Sequence, residues 1–451
     1  MINLNQIQNF YFVGVGGIGM SALARYFKLQ GKNVFGYDKT VTRLTDQLVA
    51  EGIEVTFNDT VSELPKEVLS KEDVLIIYTP AIPSSSALLN HFNSEKYKLI
   101  KRAALLGEIT KSSLCLAVAG THGKTTTSAI LAHLLVECGM PVTAFLGGIA
   151  ENFDSNFISK GRDITVVEAD EFDRSFLQLR PDIACVTSMD ADHLDIYGNA
   201  SAIEDAFRSF SELVGREETL LFKKGLPLDG MSVAIEAEAD YQALDVQIEN
   251  GTYKFDLKTP MGVLKDLQFH LPGHHNLNNA IMALGMAILA GSPTDCLPQA
   301  LASFKGVKRR FSYKIKTEEL VLIDDYAHHP TELDALHQAV EEMYSNDEKL
   351  IVFQPHLFSR TRDFAAGFAK SLSQFDEVIL LDIYPAREEP IEGITSEWLM
   401  DKITAKKKRL VFKSALPEIL LASNCRIKLL VGAGDIGSEV DKITKILAYE
   451  A

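Results

Sequence analysis

Two patterns of apolar and polar positions alternate along this chain. Short runs, apolar throughout or after a single polar residue, occur at 9–13, 33–37, 74–78, 114–119, 320–323, 350–353, 377–381 and 428–431. Runs of this length predict strands buried on both faces. Between them lie stretches with apolar residues three and four apart, which predict helices over 20–29, 126–136 and 277–290. Strand and helix in alternation predict parallel sheets and an α/β fold. Residues 163–171 and 183–188 are further apolar strands that run directly into acids. Residues 219–270 differ, alternating apolar with polar positions between turns at 249–251 and 260–262, which predicts a small antiparallel appendage. At about 100–200 residues per domain, the 451 residues predict three domains, with boundaries at 1–102, 103–306 and 307–451.

Candidate chemistry sits where strands end, as parallel-sheet sites do. The run 114–119 leads into Gly120-Thr121-His122-Gly123-Lys124-Thr125-Thr126 and then a helix. The loop amides and positive helix end of such a unit suit a phosphate. Lys124 would reach the terminal phosphates, and the Thr125 hydroxyl would hold a magnesium ion. The generic phosphate loop has a glycine five residues before its second; here that position is Val118. The acids at 168–171 and 190–195, with His193, should converge on the same loop. Near the N-terminus, Gly14-Val15-Gly16-Gly17-Ile18-Gly19 follows a strand, with Asp38 about twenty residues on. That fingerprint binds a diphosphate, and UDP or NAD would serve equally. A second match at 432–437 is read as structural.

Composition narrows the classes. Sixty-one acids against forty-five bases leave a net charge of −16, which argues against broad nucleic-acid or anionic-membrane contact. No apolar run approaches the ~20 residues of a membrane helix, and residues 1–6 show no export signal. Five cysteines without paired spacing suggest reduced thiols and a cytoplasmic protein.

The ordered set of motifs resembles the Mur ligase family over essentially the whole chain. It comprises the two glycine loops, Glu168-Ala169-Asp170-Glu171, Ala191-Asp192-His193, Pro272-Gly273-His274-His275-Asn276 and Lys308-Arg309-Arg310-Phe311. It continues through 324–332, Gln354-Pro355-His356-Leu357-Phe358-Ser359-Arg360-Thr361-Arg362 and Gly432-Ala433-Gly434-Asp435. The resemblance implies a Rossmann-like N-terminal domain, a central P-loop ATPase-type domain and a Rossmann-like C-terminal domain. It implies ATP-dependent ligation of L-alanine to the lactyl carboxylate of UDP-N-acetylmuramate through an acyl phosphate, with Mg²⁺. That reaction belongs to peptidoglycan synthesis, hence to cell shape and division. Carried over residue by residue, the UDP-sugar site is Gly14, Gly16, Gly17, Gly19, Ser21 and Asp38. ATP is held by Gly120, Thr121, His122, Gly123, Lys124, Thr125, Thr126, Asn276, Arg310 and Asp325. The metal ligands are Thr125, Glu168 and His193, and the catalytic set is Lys124, His193 and His328. The alanine site is His328, Arg360 and Arg362. Some relatives carry another arginine three residues before Arg360, where this chain has Leu357.

Other readings remain on the residues. A related ligase joins a preformed peptide instead of alanine; the segment 354–362 favours alanine. An NAD-dependent oxidoreductase would leave the lysine-bearing loop without a role. A nucleotide switch without chemistry would leave the clustered acids without one. The choice among alanine, serine and glycine is not legible.

Overall fold

The computed structural model describes residues 3–190, 197, 199–249, 252–386 and 388–450. It divides into two compact units. The first holds Met1–Leu244, Asp256–Leu267 and Asn278–Phe304, and the second holds Asp245–Phe255, Gln268–Leu277 and Lys305–Ala451.

The first unit opens with β1 (Asn9–Val13), β2 (Asn33–Tyr37), β3 (Glu54–Thr56), β4 (Val74–Tyr78) and β5 (Leu99–Lys101), in the order β3-β2-β1-β4-β5. All pairings are parallel. All five residues of β1 are buried, which is why four apolar residues follow Asn9 without a break. The helix Ile18–Leu29 packs back on this sheet, with Phe27 stacked on Phe10 at 3.8 Å.

The next sheet contains β6 (Leu114–Ala119), β7 (Val142–Ala150), β8 (Ser155–Ser159), β9 (Ile164–Ala169), β10 (Ile183–Val186), β11 (Leu220–Lys223), β12 (Met231–Ile235), β13 (Tyr241–Glu249), β14 (Thr252–Thr259) and β15 (Gly262–Phe269). Its order is β15-β14-β13-β12-β11-β10-β6-β9-β7-β8. Parallel register sets Val118 beside Glu168 and Ala119 beside Val186. Both flanking strands therefore deliver their ends to the loop after β6. On the other side, Arg25 of the Ile18–Leu29 helix binds Glu51 at 2.8 Å and also Asn156 of β8.

Two expectations need correction. The stretch 219–270 is not a separate antiparallel appendage, because β11, β12 and β13 extend the central sheet in parallel. Its alternation reports strands with one wetter face, as in the buried–intermediate pattern of β14, and alternation says nothing of strand direction. The cysteines are not all free thiols: Cys138 and Cys296 form a disulfide with Cα atoms 5.6 Å apart, across 158 residues. It ties the end of the helix Lys124–Glu137 to the start of Leu297–Ala302. Spacing could not show it, since packing of distant helices makes the pair. Cys115, Cys185 and Cys425 are buried free thiols.

The second unit carries β16 (Ser312–Lys316), β17 (Val321–Asp325), β18 (Lys349–Phe353), β19 (Glu377–Leu380), β20 (Lys407–Leu410) and β21 (Ile427–Val431), ordered β16-β17-β21-β18-β19-β20. Only β16 pairs antiparallel. After β21 the glycine turn packs inward. A Cβ on Gly432 would lie 2.7 Å from the Gln354 carbonyl, and Gln354 Oε1 accepts from the Ile436 amide at 2.8 Å. Those contacts give the second glycine motif a packing role. Among the described residues, no helix is long and apolar enough to cross a membrane.

Candidate functional site

The loop after β6 is built by glycines in the left-handed region. Gly120 has φ +135° and Gly123 has φ +87°. A Cβ on Gly123 would meet Asn279 Oδ1 at 2.6 Å, so a side chain there is barred twice over. The strand ends fasten the loop. Thr121 Oγ1 donates to the Asp190 carbonyl at 2.9 Å, the His122 amide donates to Ser188 Oγ at 2.8 Å, and Thr187 Oγ1 donates to the His122 carbonyl. His122 Nε2 lies 3.5 Å from Asp190. Thr126 is buried in the first turn of the helix. His193 lies outside the described residues.

The acids at the end of β9 each take a different partner. Glu168 accepts from Thr125 Oγ1 and from Ser128 Oγ, both at 3.1 Å. Asp170 meets Arg102 at 3.2 Å. Glu171 receives Lys124 Nζ at 2.7 and 3.0 Å, while the same ammonium donates to the Gly120 carbonyl at 2.6 Å and the Thr121 carbonyl at 3.3 Å. Burial opposes the charge on Lys124, but Glu171, Asp170 and Glu168 outweigh it and hold the ammonium above the ordinary lysine range. Burial pushes the Glu168 carboxyl up, against the Gly147 amide, Lys124 and the two hydroxyls. Thr125 and Glu168 are oxygen donors of the kind magnesium prefers, while no group of three or more histidine, cysteine or acidic residues that could hold a metal is present among the described residues.

The first glycine loop lies elsewhere in the same unit. The Gly14 amide donates to the Tyr37 carbonyl at 2.7 Å, and the Gly16 amide donates to Asp38 Oδ2 at 2.8 Å. Asp38 thus holds the loop itself. Gly17 caps the helix with φ −64°, and a Cβ there would meet nothing nearer than the Gly14 carbonyl at 3.5 Å. Gly19 packs against Arg102. Ser21 is fully buried, donating to the Ile18 carbonyl at 2.9 Å and accepting from Asn156 at 3.0 Å. It fastens the Ile18–Leu29 helix to β8.

In the second unit, Asp325 ends β17 and accepts from the Phe311 and Ala327 amides, both at 2.7 Å. His328 Nδ1 lies 2.9 Å from the Tyr326 carbonyl and 3.2 Å from Glu332. Burial, with Arg360 and Arg310 nearby, holds His328 below the ordinary histidine range despite Glu332, so its imidazole is neutral at pH 7. His356 stands edge-on at 6.0 Å from His328. Arg360 is buried in the short helix Phe358–Asp363, whereas Arg362 is half-exposed and pairs with Asp363 at 2.7 Å. Arg310 lies over the Tyr326 ring at 5.1 Å and 3.6 Å from Glu332. Asn276 is buried, its amide donating to the Pro272 carbonyl at 2.7 Å.

Asp325 gives a pH test of this environment. Burial pushes its carboxyl up to about 6, against Arg310 and the two amides. An unfolded aspartate titrates near ~3.9, so between about pH 4 and 6 the folded chain keeps a proton that the unfolded chain releases. This group's contribution to stability therefore falls as pH rises through that window. Asp325→Asn removes the slope. Urea unfolding at pH 4.5 and 7 should show the variant gaining about 1–3 kcal/mol on the natural protein at the higher pH. The lost hydrogen bond is a constant offset, and parallel pH profiles would exclude a titrating Asp325.

Comparisons with known proteins bear on this arrangement. Three family models match in order: "Mur ligase family, catalytic domain" over residues 9–113, "Mur ligase middle domain" over 118–287 and "Mur ligase, glutamate ligase domain" over 309–435. A UDP-N-acetylmuramate–L-alanine ligase of Flavobacterium psychrophilum is 58% identical over 446 residues, covering 99% of each chain. The chain belongs to the Mur ligase family. This Mur ligase is also 58% identical to the ligase of that name from Christiangramia forsetii, over the full length of both. The crystal structure of UDP-N-acetylmuramate–alanine ligase from Thermotoga maritima matches with a TM-score of 0.83 at 27% identity, covering 98% of this chain and 100% of that one. Sequence reasoning placed the acids 168–171 of the Mur ligase at this loop, as found, but gave no individual role to Glu171, Ser128, Glu332 or His356. Glu171 stood inside the quoted Glu168-to-Glu171 string, and His356 inside 354–362; only their partners were hidden.

Proposed function

We infer that this Mur ligase joins L-alanine to the lactyl carboxylate of UDP-N-acetylmuramate in peptidoglycan synthesis, with ATP cleaved to ADP and phosphate. Full-length identity of 58% to two curated ligases of that name carries the reading. On this reading the reaction is cytoplasmic. Residues 1–102 bind the sugar nucleotide, 103–306 bind ATP, and 307–451 bind alanine and contact ATP.

A carboxylate oxygen attacks the γ-phosphorus, and ADP leaves. The amine of alanine then attacks the acyl carbon, and phosphate departs with that oxygen. Both steps crowd anions, so cationic and amide donors must be fixed in advance. Lys124 and the amides of Gly120 to Thr126 hold the phosphates. Thr125 and Glu168 would hold Mg²⁺, with His193 assigned to a second ion. When bound, the metal neutralises charge on the phosphates. Asn276 is assigned to adenine, Asp325 to ribose and Arg310 to the phosphates. Arg360, with Arg362, binds the alanine carboxylate, and neutral His328 takes the proton that the amine must lose. The test is phosphate release from ATP with UDP-N-acetylmuramate and a panel of amino acids. Release with alanine, absent without an amino acid, is expected; release that ignores the sugar nucleotide would reject the assignment.

The sugar-nucleotide assignment makes a separate prediction. Gly14, Gly16, Gly17 and Gly19 hold the UDP diphosphate, with Asp38 fixing their loop and Ser21 anchoring the helix behind it. A Cβ at Gly17 makes only ordinary contacts, 3.5 Å from the Gly14 carbonyl at the nearest, so the added bulk of a valine falls chiefly on the diphosphate. Gly17→Val should raise KM for UDP-N-acetylmuramate by about tenfold or more, the scale of one lost charge-assisted contact, with KM for ATP little changed. A rise for ATP alone would exchange the two sites.

A further inference from the structure

Glu171 has no role in the mechanism above, yet it is the closest charge to the residue on which that mechanism depends. Its carboxylate is 3% exposed and grips Lys124 Nζ with both oxygens. An ammonium has three donor hydrogens. Here they face one carboxylate and two loop carbonyls, Gly120 at 2.6 Å and Thr121 at 3.3 Å. When phosphates arrive, at least one of these partners must give way.

The partners are not equal. Releasing a carbonyl returns a neutral group to other partners, whereas releasing Glu171 strands a buried charge, a much larger penalty. The backbone behind Glu171 is anchored as well. The Arg174 amide donates to the Glu171 carbonyl at 2.9 Å, Tyr197 Oη donates to the same oxygen, and the Phe176 amide donates to the Asp170 carbonyl at 2.9 Å. The phosphates therefore take the donors now on the carbonyls, and the carboxylate keeps its own. We propose that Glu171 is a positioning residue: through its two-oxygen grip on Lys124 it fixes the direction in which the ammonium meets the transferring phosphoryl group. The proposal rests on the ATP-dependent reading of the site.

The test compares Glu171→Gln, isosteric but neutral, with Glu171→Asp, shorter but charged. If charge positions the lysine, the glutamine variant loses about 10- to 100-fold in kcat, the scale of a misplaced catalytic group. Its KM for ATP stays within about threefold of the natural protein's, and the aspartate variant recovers part of the loss. If the side chain only fills space, glutamine is the better replacement, and that order of variants overturns the proposal. So does tighter ATP binding with faster turnover in Glu171→Gln, which would make the pair a latch. Should the Glu171 variants not fold, Lys124→Ala combined with Glu171→Gln, compared with Lys124→Ala, carries the test, because it removes both buried charges. Its residual turnover is no lower than that of Lys124→Ala if Glu171 acts only through Lys124, and a further tenfold loss contradicts that. Failure of the natural protein to release phosphate with all three substrates would instead reject the reaction.

Discussion

Lys124→Ala is expected to lower kcat by about 10²- to 10³-fold, the usual scale for removing one preorganised donor from a transition state. The ammonium meets phosphate oxygens whose charge is redistributed as the γ-phosphoryl group moves, so its loss falls on kcat more than on KM. The structure adds a complication. Lys124 is the ion partner of the buried Glu171, and breaking a buried pair from one side costs about 3–5 kcal/mol because the other charge is left behind. A loss of activity in Lys124→Ala could then reflect a loosened loop. Lys124→Ala with Glu171→Gln separates the two effects. Thermal unfolding should show that the double variant regains stability lost in the single one, while turnover stays low. Recovery of turnover along with stability would remove Lys124 from the chemistry.

Arg360→Ala has the second-largest expected effect, and it falls on one substrate. Alanine brings a carboxylate, for which a guanidinium fork is the natural partner. Arg360 is a buried cation whose charge is felt at His328. Losing a charge-assisted hydrogen bond costs roughly 1.5–3 kcal/mol, or about ten- to a hundred-and-fifty-fold in affinity. KM for alanine should rise by that factor, with the constants for ATP and the sugar nucleotide nearly unchanged. Arg362→Ala should do much less, since that side chain is half-exposed and already paired. An unchanged alanine KM in Arg360→Ala, or an equal loss for all three substrates, would move the carboxylate site elsewhere.

What the sequence revealed follows from how each feature is encoded. Strands β1, β2, β4 and β6 match their runs residue for residue, because parallel strands buried on both faces are apolar but for the asparagines that open β1 and β2. The helix after β6 begins at Lys124, two residues before its apolar periodicity starts. Its first turn faces the loop, so its composition follows ligand chemistry. The strands β7 and β8 were not predicted. Gly147 and Gly148 interrupt β7, and β8 alternates buried with half-buried positions at its ladder edge. The phosphate loop and glycine loop were legible because glycine spacing is local. The Lys124–Glu171 pair and the Cys138–Cys296 bond were not, since each joins elements that meet only through sheet order and helix packing.

The central claim is that the lactyl carboxylate becomes an acyl phosphate before alanine attacks. UDP-N-acetylmuramate labelled with ¹⁸O in that carboxylate tests it most directly. The oxygen that attacks phosphorus leaves with the phosphate when the amide forms, so the account predicts one ¹⁸O atom in each phosphate released from fully labelled substrate. Mass spectrometry of the phosphate reads this without kinetics. Phosphate free of label, released together with the alanyl product, would show that the carboxylate was activated by some other route.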